Sequence, residues 1–326
     1  MARILTRDDV ARLLSVAACI EAVEQAQRAL SAGEAIMPVR LPLRLPAHAV
    51  HLSMPAALPG LGALGLKAVT AFPGNPAIGE PQIQGVVVLN DITTGRVLAV
   101  MDAAHLTGVR TAAASALATR ELALPDASVV ALLGAGVQAA THLEAIAAVR
   151  PIVEARVAAR SLASAERFVR EHADRAPGVR LVAVETVEEA VSGAHVVCAV
   201  SSTVEPIVRR EWIAPGAHLN AVGAHTPTTR ELDSALVRDA RVVGDSRDAV
   251  LAEKGDCLIP LGEGAFGPGH VSDEIGDVLL GRVPGRTSPE QITAYMSCGL
   301  AVQDVAAARL VHELAVAGGV GVEVAL

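Results

Sequence analysis

The sequence predicts an α/β protein in which a doubly wound parallel sheet is joined to a separate α+β part. Three observations predict it. From Ala127 to Ser246, short apolar runs alternate with helical or mixed segments, the rhythm of a parallel sheet covered on both faces. The run "VVALLGAGVQAATHLEAI", Val129 to Ile146, passes from strand to helix through a glycine turn. From Leu41 to Asp102 the texture is instead one of β-like runs punctuated by Gly, Pro and Asn.

Each element has a local reason. "TRDDVARLLSVAACIEAVEQAQRALSAGEA" reads as two helices, with Thr6 as a cap and Gly33 near the stop. "HAVHLSM", "LGLKAVTAF", "GVVVLND" and "RVLAVMD" read as strands, the last two forming a hairpin around a Thr-Thr-Gly turn. "AFPGNPAIGEPQIQG" is a long Gly/Pro loop of the kind that more often carries function than merely connects. Helical composition resumes in "HLTGVRTAAASALATREL". The parallel sheet is then expected from "SVVALLG", "EARVAAR", "VRLVAV", "AHVVCAV", "GAHLNAVG" and "ARVVGDS". Near the end, "VQDVAAARLVHELAVAGG" reads as an amphipathic helix closed by glycines, one that can return to the first part.

The bulk numbers exclude several classes. At 326 residues, 52% hydrophobic and 19% charged, the chain is long enough for two domains and too apolar for a disordered tail. Aromatics are only 2%, so Ala and Val fill a core suited to close packing of helices on a sheet. The net charge of −8 is mixed along the chain without a basic stripe, which argues against a nucleic-acid partner. No run of about twenty apolar residues suggests a membrane span. The N-terminus is charged where a signal peptide needs an apolar core, so a cytoplasmic protein is expected. The four cysteines, Cys19, Cys198, Cys257 and Cys298, lie far apart without zinc spacing, and no metal is assigned.

Gly134-Ala135-Gly136-Val137-Gln138-Ala139 is a G-x-G-x-x-A turn opening the βαβ series, the signature of a Rossmann-type dinucleotide site. Gly134 permits the turn, Gly136 lets backbone approach a pyrophosphate, and Ala139 keeps the helix close to the sheet. The phosphate then meets unpaired N–H groups at the helix start. The acid that binds ribose hydroxyls in NAD-preferring sites is expected near residues 158–161, where the sequence reads "AARS". Arg160 can pair with a 2′-phosphate and Ser161 can add a hydrogen bond, which favours NADP(H) with NAD(H) as the alternative. A merely solvated arginine is the bland explanation.

Three further cations stand in apolar surroundings: Arg40 in "MPVRLPLRLP", Lys67 in "LGLKAVTAF" and Arg110 in "TGVRTAAAS". A charged side chain with its stem on apolar surface is common. A buried cation, however, is costly unless an anion compensates it, and a substrate carboxylate is such an anion.

"RTAAASALATREL", "LLGAGVQAATHLEAI", "EPIVRREWIAPGAHLNAVGAHTP", "RELDSALV" and "GLAVQDVAAARLV" resemble, in the same order, the ornithine cyclodeaminase/mu-crystallin family over essentially the whole chain. The resemblance implies a substrate-binding and dimerisation domain over residues 1–115, rejoined by 300–326, and a Rossmann domain over 116–299, with the active site in the cleft between them. It implies that Arg40, Lys67 and Arg110 contact the substrate carboxylate or the neighbouring cofactor. By the same matching Gln82 lies near the nicotinamide ribose. Ala135, Val137 and Gln138 line the pyrophosphate, and Arg160 and Ser161 meet the adenosine end. Ser201, Val222 and Ser297 approach the ribose or nicotinamide. "EKGD" (Glu253 to Asp256) and Asp304 recur in relatives and read as helix caps or domain-joining residues, and "HVSDEIGDVLLG" as a late packing helix.

The family is mixed in chemistry: cyclodeaminases, alanine dehydrogenases, imine reductases and a hormone-binding member. Its cyclodeaminases carry an aspartate just after "NAVGG", where this chain reads "NAVGAHTP" and places His225. Histidine can move a proton near neutral pH but cannot supply a diamine with a fixed negative charge. The expected activity is therefore an NAD(P)H-dependent oxidoreductase acting on the C=N or C–N bond of a small imino or amino acid. The favoured form is a reductase of Δ1-pyrroline-2-carboxylate or Δ1-piperideine-2-carboxylate, with Lys67 or His225 keeping the imine protonated. Ornithine cyclodeaminase, an alanine-type dehydrogenase and a non-catalytic NADPH- and ligand-binding protein are the alternatives. A homodimer is expected.

Overall fold

A computed structural model describes residues 1–326, Pro76 by its backbone alone. The chain divides into two units, Met1–Arg110 with Gly299–Leu326, and Thr111–Cys298.

In the first unit, strand β1 (Ala2–Leu5) leads into helix α1 (Arg7–Leu13) through a reciprocal cap. The Asp9 amide donates to Thr6 Oγ1 while the Asp9 carboxylate accepts from the Thr6 amide, which satisfies two otherwise orphaned donors. Ser15 caps α2 (Val16–Ser31), and Gly33 leaves it with φ of +75°. The strands β2 (Leu41–Arg44), β3 (Val50–Leu58), β4 (Ala63–Ala71), β5 (Ile83–Asn90) and β6 (Val97–Asp102) form an antiparallel meander. β1 adds parallel to β6, and the last strand, Val322–Val324, adds antiparallel to β1. The four runs read as strands become β3 to β6. The hairpin turn between β5 and β6 is fixed by Asp91, whose carboxylate accepts from the amides of Thr93 and Thr94.

Alternation decides which side chains of β4 are enclosed: Ala63, Gly65, Lys67 and Val69 are the buried set. Helix Ala301–Gly318 packs on β3, β4 and β5, with α2 against it. The sequence suggests an amphipathic helix, but residues 301–308 are buried on every side, because sheet and α2 enclose those turns. The edge strand β2 is exposed throughout.

Helix α3 (Ala103–Leu122) precedes the second sheet. There β7 (Val129–Leu133) feeds α4 (Val137–Val149), β8 (Glu154–Ala158) feeds α5 (Leu162–His172), and β9 (Arg180–Ala183), β10 (Val196–Ala199), β11 (His218–Ala221), β12 (Arg241–Gly244), β13 (Asp273–Glu274) and β14 (Thr293–Met296) follow. The order is β13-β12-β14-β11-β10-β7-β8-β9, and every pairing is parallel. β7 is the point where the winding reverses, so a crevice opens beyond its carboxyl end. The six runs read as parallel strands become β7 to β12. β14, "TAYM", inserts between β11 and β12 with all four residues buried. The late helix of "HVSDEIGDVLLG" is a short piece, Ile275–Leu279.

No helix is long and apolar enough to cross a membrane, and among the described residues no group of His, Cys, Asp or Glu side chains gathers as metal ligands would.

Candidate active site

In the first unit two of the three cations suspected from sequence, Lys67 and Arg110, come together on one acid. Lys67 stands in the middle of β4 with its side chain only 2% exposed, because the alternation of the strand turns it under helix Ala301–Gly318. Its ammonium lies 2.6 Å from Asp304 Oδ2 in the first turn of that helix, and the Asp304 side chain is 0% exposed. Arg110 Nε donates to Asp304 Oδ1 at 2.8 Å and its Nη1 to Gln303 Oε1 at 3.0 Å. The guanidinium lies against Gly299, where an added Cβ would be 2.8 Å from Arg110 Nη1 and where φ is +77°. Half-buried Arg40, just before β2, is near enough for its charge to act on Lys67.

Two enclosed cations thus share a single carboxylate. Burial pushes the Lys67 ammonium down to about 8; Asp304 opposes that fall, and the charges of Arg110 and Arg40 add to it. A lysine at that value exchanges its proton near neutral pH. Asp304, which the sequence suggests as a cap or domain joint, is the residue that unites this cluster. The signal was an acid two residues before a run of three alanines, too common to stand out.

In the second unit, the glycine turn after β7 has the properties a pyrophosphate needs. Gly134 has φ of +135°, and a Cβ there would lie 2.9 Å from the Val200 carbonyl oxygen, so the turn itself requires glycine. A Cβ at Gly136 would meet nothing within 4 Å, so no protein atom demands glycine at that point. Gly136 is the N-cap of α4 and supplies no side-chain acceptor, leaving the first N–H groups of the helix for a ligand. Buried Ala139 brings α4 close to the sheet. The residues present fit a dinucleotide.

Of the other positions matched to a cofactor, Arg160, Ser161, Ser201, Val222 and Ser297 follow the carboxyl ends of strands of the second sheet. Exposed Arg160 follows β8, and Ser161 caps α5 by accepting from the Ser164 amide. No acid stands at the end of β8. Ser201 follows β10, Val222 follows β11, and buried Ser297 follows β14. The Val222 amide donates to the Ala199 carbonyl and the Ser297 amide to the Ala221 carbonyl, which lines these three loops up in sequence across the sheet. Val137 and Gln138 form the first turn of α4. Gln82 is exposed, lies just before β5 in the first unit, and accepts from the Phe72 amide through its carbonyl.

Exposed His225 lies in the loop after β11, and its Nδ1 donates to the Gly223 carbonyl at 2.8 Å. A carbonyl can only accept, so in the neutral ring Nε2 carries the lone pair that takes or returns a proton. Sequence reasoning missed Glu231, which is buried and accepts from Ser201 and from the loop that carries His225. Nothing local in "TTRELD" marks it, since its partners lie elsewhere in the chain.

The model of the ornithine cyclodeaminase/mu-crystallin family matches residues 1–319. The chain belongs to that family. It is 40% identical over 283 residues to the ketimine reductase mu-crystallin of Mus musculus, with 86% of each protein covered. Its fold is similar to that of Thermococcus litoralis Δ1-pyrroline-2-carboxylate reductase in complex with NADH and L-proline, at 37% identity and a TM-score of 0.96, over 99% of this chain and 100% of that one. It is also similar to an archaeal alanine dehydrogenase dimer with bound NAD, at 36% identity and a TM-score of 0.94, over 100% and 99% of the two chains. These three relatives are named for imine and amino-acid chemistry.

Proposed function

We propose that this chain is an NAD(P)H-dependent oxidoreductase of the C=N bond of small imino acids, acting as a ketimine reductase on Δ1-pyrroline-2-carboxylate or Δ1-piperideine-2-carboxylate. One observation carries the reading: buried Lys67 and Arg110 share the single charge of Asp304, which leaves a positive excess in an apolar sheet that an anionic substrate would neutralise. Arg110 and Arg40 hold the substrate carboxylate, and Lys67 faces the imine nitrogen. Holding the reacting carbon in one orientation is a large share of the available rate enhancement. The nicotinamide supplies the hydride when bound. Reduction needs a protonated imine, and Lys67, charged below about 8, is the residue suited to keep it so. His225 is the second proton carrier, with Nε2 as the exchanging atom.

The glycine turn, Gln138 and Val137 hold the pyrophosphate, Arg160 and Ser161 the adenosine end, and Gln82, Ser201, Val222 and Ser297 the ribose and nicotinamide. Arg160, with no acid beside it, supports NADP(H); the solved relatives with NADH and NAD support NAD(H) as the alternative. The similarity to alanine dehydrogenase supports a second reading, reversible amination of a 2-oxo acid at the same carboxylate site.

The chain acts as a homodimer. Support comes from the exposed strand β2 and the residues flanking it, where Val39, Leu41, Leu43 and Leu45 are from 45% to 65% exposed, and from the similarity to an alanine dehydrogenase dimer. A cytoplasmic setting is supported by buried thiols at Cys19, Cys198 and Cys257.

The deciding experiment is initial rates of NADPH and NADH oxidation with the two cyclic imines, beside pyruvate with ammonia, and beside ammonia release from ornithine. Fast oxidation with a cyclic imine is expected. Ammonia and proline from ornithine without net nicotinamide change would instead establish a cyclodeaminase, and turnover confined to pyruvate an alanine dehydrogenase. No turnover with any of them would leave a binding protein.

A further inference from the structure

The loops that follow β10, β11 and β14 are tied together by three buried charges. Glu231 accepts on one oxygen from the Ser201 amide and the Ser201 hydroxyl, both at 2.7 Å. On the other it accepts from the amides of Gly223 at 2.7 Å and Ala224 at 3.3 Å. One carboxylate therefore collects four donors from two loops. Lys254 does the converse: its ammonium donates to the carbonyls of Ala221 at 2.9 Å, Ala224 at 2.5 Å and Ser297 at 3.3 Å. Asp256 accepts from the amides of Glu231 and Leu232, at 2.7 and 2.9 Å, and lies 3.4 Å from Lys254.

The glycines fit the same plan. A Cβ at Gly223 would stand 2.0 Å from the Ser201 carbonyl oxygen, so the loops after β10 and β11 touch backbone to backbone. A Cβ at Gly255 would stand 2.1 Å from the Thr229 carbonyl oxygen, so Lys254-Gly255-Asp256 is laid directly against the His225 loop. Burial and the charge of Asp256 push the Glu231 carboxyl up, while Lys254 and Ser201 resist. For Lys254 burial works against the charge, but Asp256 and its other neighbours prevail and hold the ammonium above its ordinary range. A buried ionic cluster adds little net stability over apolar packing, yet one hydrogen-bonded to the surrounding loops fixes their geometry.

We infer that Glu231, Lys254 and Asp256 are positioning residues that set the nicotinamide half of the dinucleotide site and the ring of His225, an inference that rests on the dinucleotide reading above. Two routes run from Glu231. One goes directly to Ser201. The other passes through a single peptide group, 223–224, whose N–H is bound by Glu231 and whose carbonyl accepts from His225 Nδ1. Among the described residues the glycine turn, Arg160 and Ser161 make no hydrogen bond to Glu231, Lys254 or Asp256, so the cluster acts first on the nicotinamide half.

Glu231→Gln keeps the shape but turns an amide NH2 toward donors on one side or the other. ADP carries the adenosine and pyrophosphate without nicotinamide or its ribose, so calorimetric titration of ADP and NADH separates the two halves. In the folded variant ADP affinity should stay within about twofold, NADH affinity should fall about tenfold, and kcat should fall about 100-fold with imine KM changed less than about threefold. Asp256→Asn keeps the acceptor for both amides but replaces the charged oxygen that faces Lys254 by an amide NH2; it should show the same selective loss, about threefold on NADH. It serves equally if Glu231→Gln does not fold. Unchanged NADH affinity in Asp256→Asn, or equal losses of ADP and NADH, would overturn the inference. A wild-type protein that binds both ligands but reduces no imine would overturn the imine-reductase reading instead, and the affinity comparison would still decide this one.

Discussion

The carboxylate of Asp304 stands 2.6 Å from the ammonium of Lys67, and neither side chain is reached by solvent to more than 2%. Arg110 completes the group on the other carboxylate oxygen. Removing the negative charge leaves two cations enclosed without an anion, and breaking a buried pair in this way costs about 3–5 kcal/mol. Asp304→Asn should lower the denaturation midpoint clearly. The imino-acid KM should rise as well, because Arg110 and Lys67 then compete for the one oxygen that remains. A variant as stable as the parent would show that the pair is not a structural unit.

The depressed Lys67 ammonium gives a pH dependence with a definite sign. The group is charged below about 8 and neutral above it. If its proton is needed on the imine, kcat for reduction falls as pH rises through about 8, and the oxidative direction gains on the same side. Since Asp304 holds the value up, Asp304→Asn should move this alkaline limb to lower pH. Lys67→Met should abolish the limb together with nearly all turnover, while NADPH affinity measured by fluorescence stays unchanged. A profile flat from pH 7 to pH 10, or a limb that survives in Lys67→Met, would move the proton role to His225.

What was legible in the sequence depended on how local each constraint is. The turn Gly134 to Gly136 could be read because its φ and its place before a helix are local properties. Strands β7 to β12 could be read because each is a short apolar run between breakers. Lys67 and Arg110 drew attention as cations in apolar company. Asp304 did not, since an acid in the first turn of a helix has the same local look when it merely favours the helix dipole. Its partner Arg110 is 194 residues away. Strand β14 went unread because "TAYM" owes its burial to β11 and β12 on either side rather than to its own pattern. β2 gave no signal for the opposite reason, being an exposed edge with no alternation at all.

Arg160 allows a test of cofactor choice. It is exposed after β8 and has Ser161 beside it at the start of α5. A charge-assisted hydrogen bond to a 2′-phosphate is worth about 1.5–3 kcal/mol, on the order of a tenfold or greater change in affinity. Arg160→Ala should therefore weaken NADPH by at least about tenfold and leave NADH within about threefold. Raised salt should erode the same preference, because the pair is solvent-exposed. Equal losses for the two cofactors would mean that Arg160 stacks on adenine without reading the phosphate.

The two glycines of the turn should respond in opposite ways, and that contrast tests the dinucleotide site apart from any catalysis. Gly134 combines φ of +135° with a Cβ position 2.9 Å from a backbone oxygen. Gly134→Ala is strained whether or not a ligand is bound, and should cost about 1–3 kcal/mol in the apo protein. Gly136 has φ of −104°, open to any residue, and its Cβ position faces empty space. Gly136→Ala should shift apo stability by less than about 1 kcal/mol. If the pyrophosphate lies against the start of α4, the new methyl occupies its approach and affinity for NADPH, NADH and ADP falls together. Urea midpoints and calorimetric titrations on the two variants measure both quantities. Intact dinucleotide binding in Gly136→Ala would remove the phosphate from this turn and leave the glycine as a bare corner of the chain.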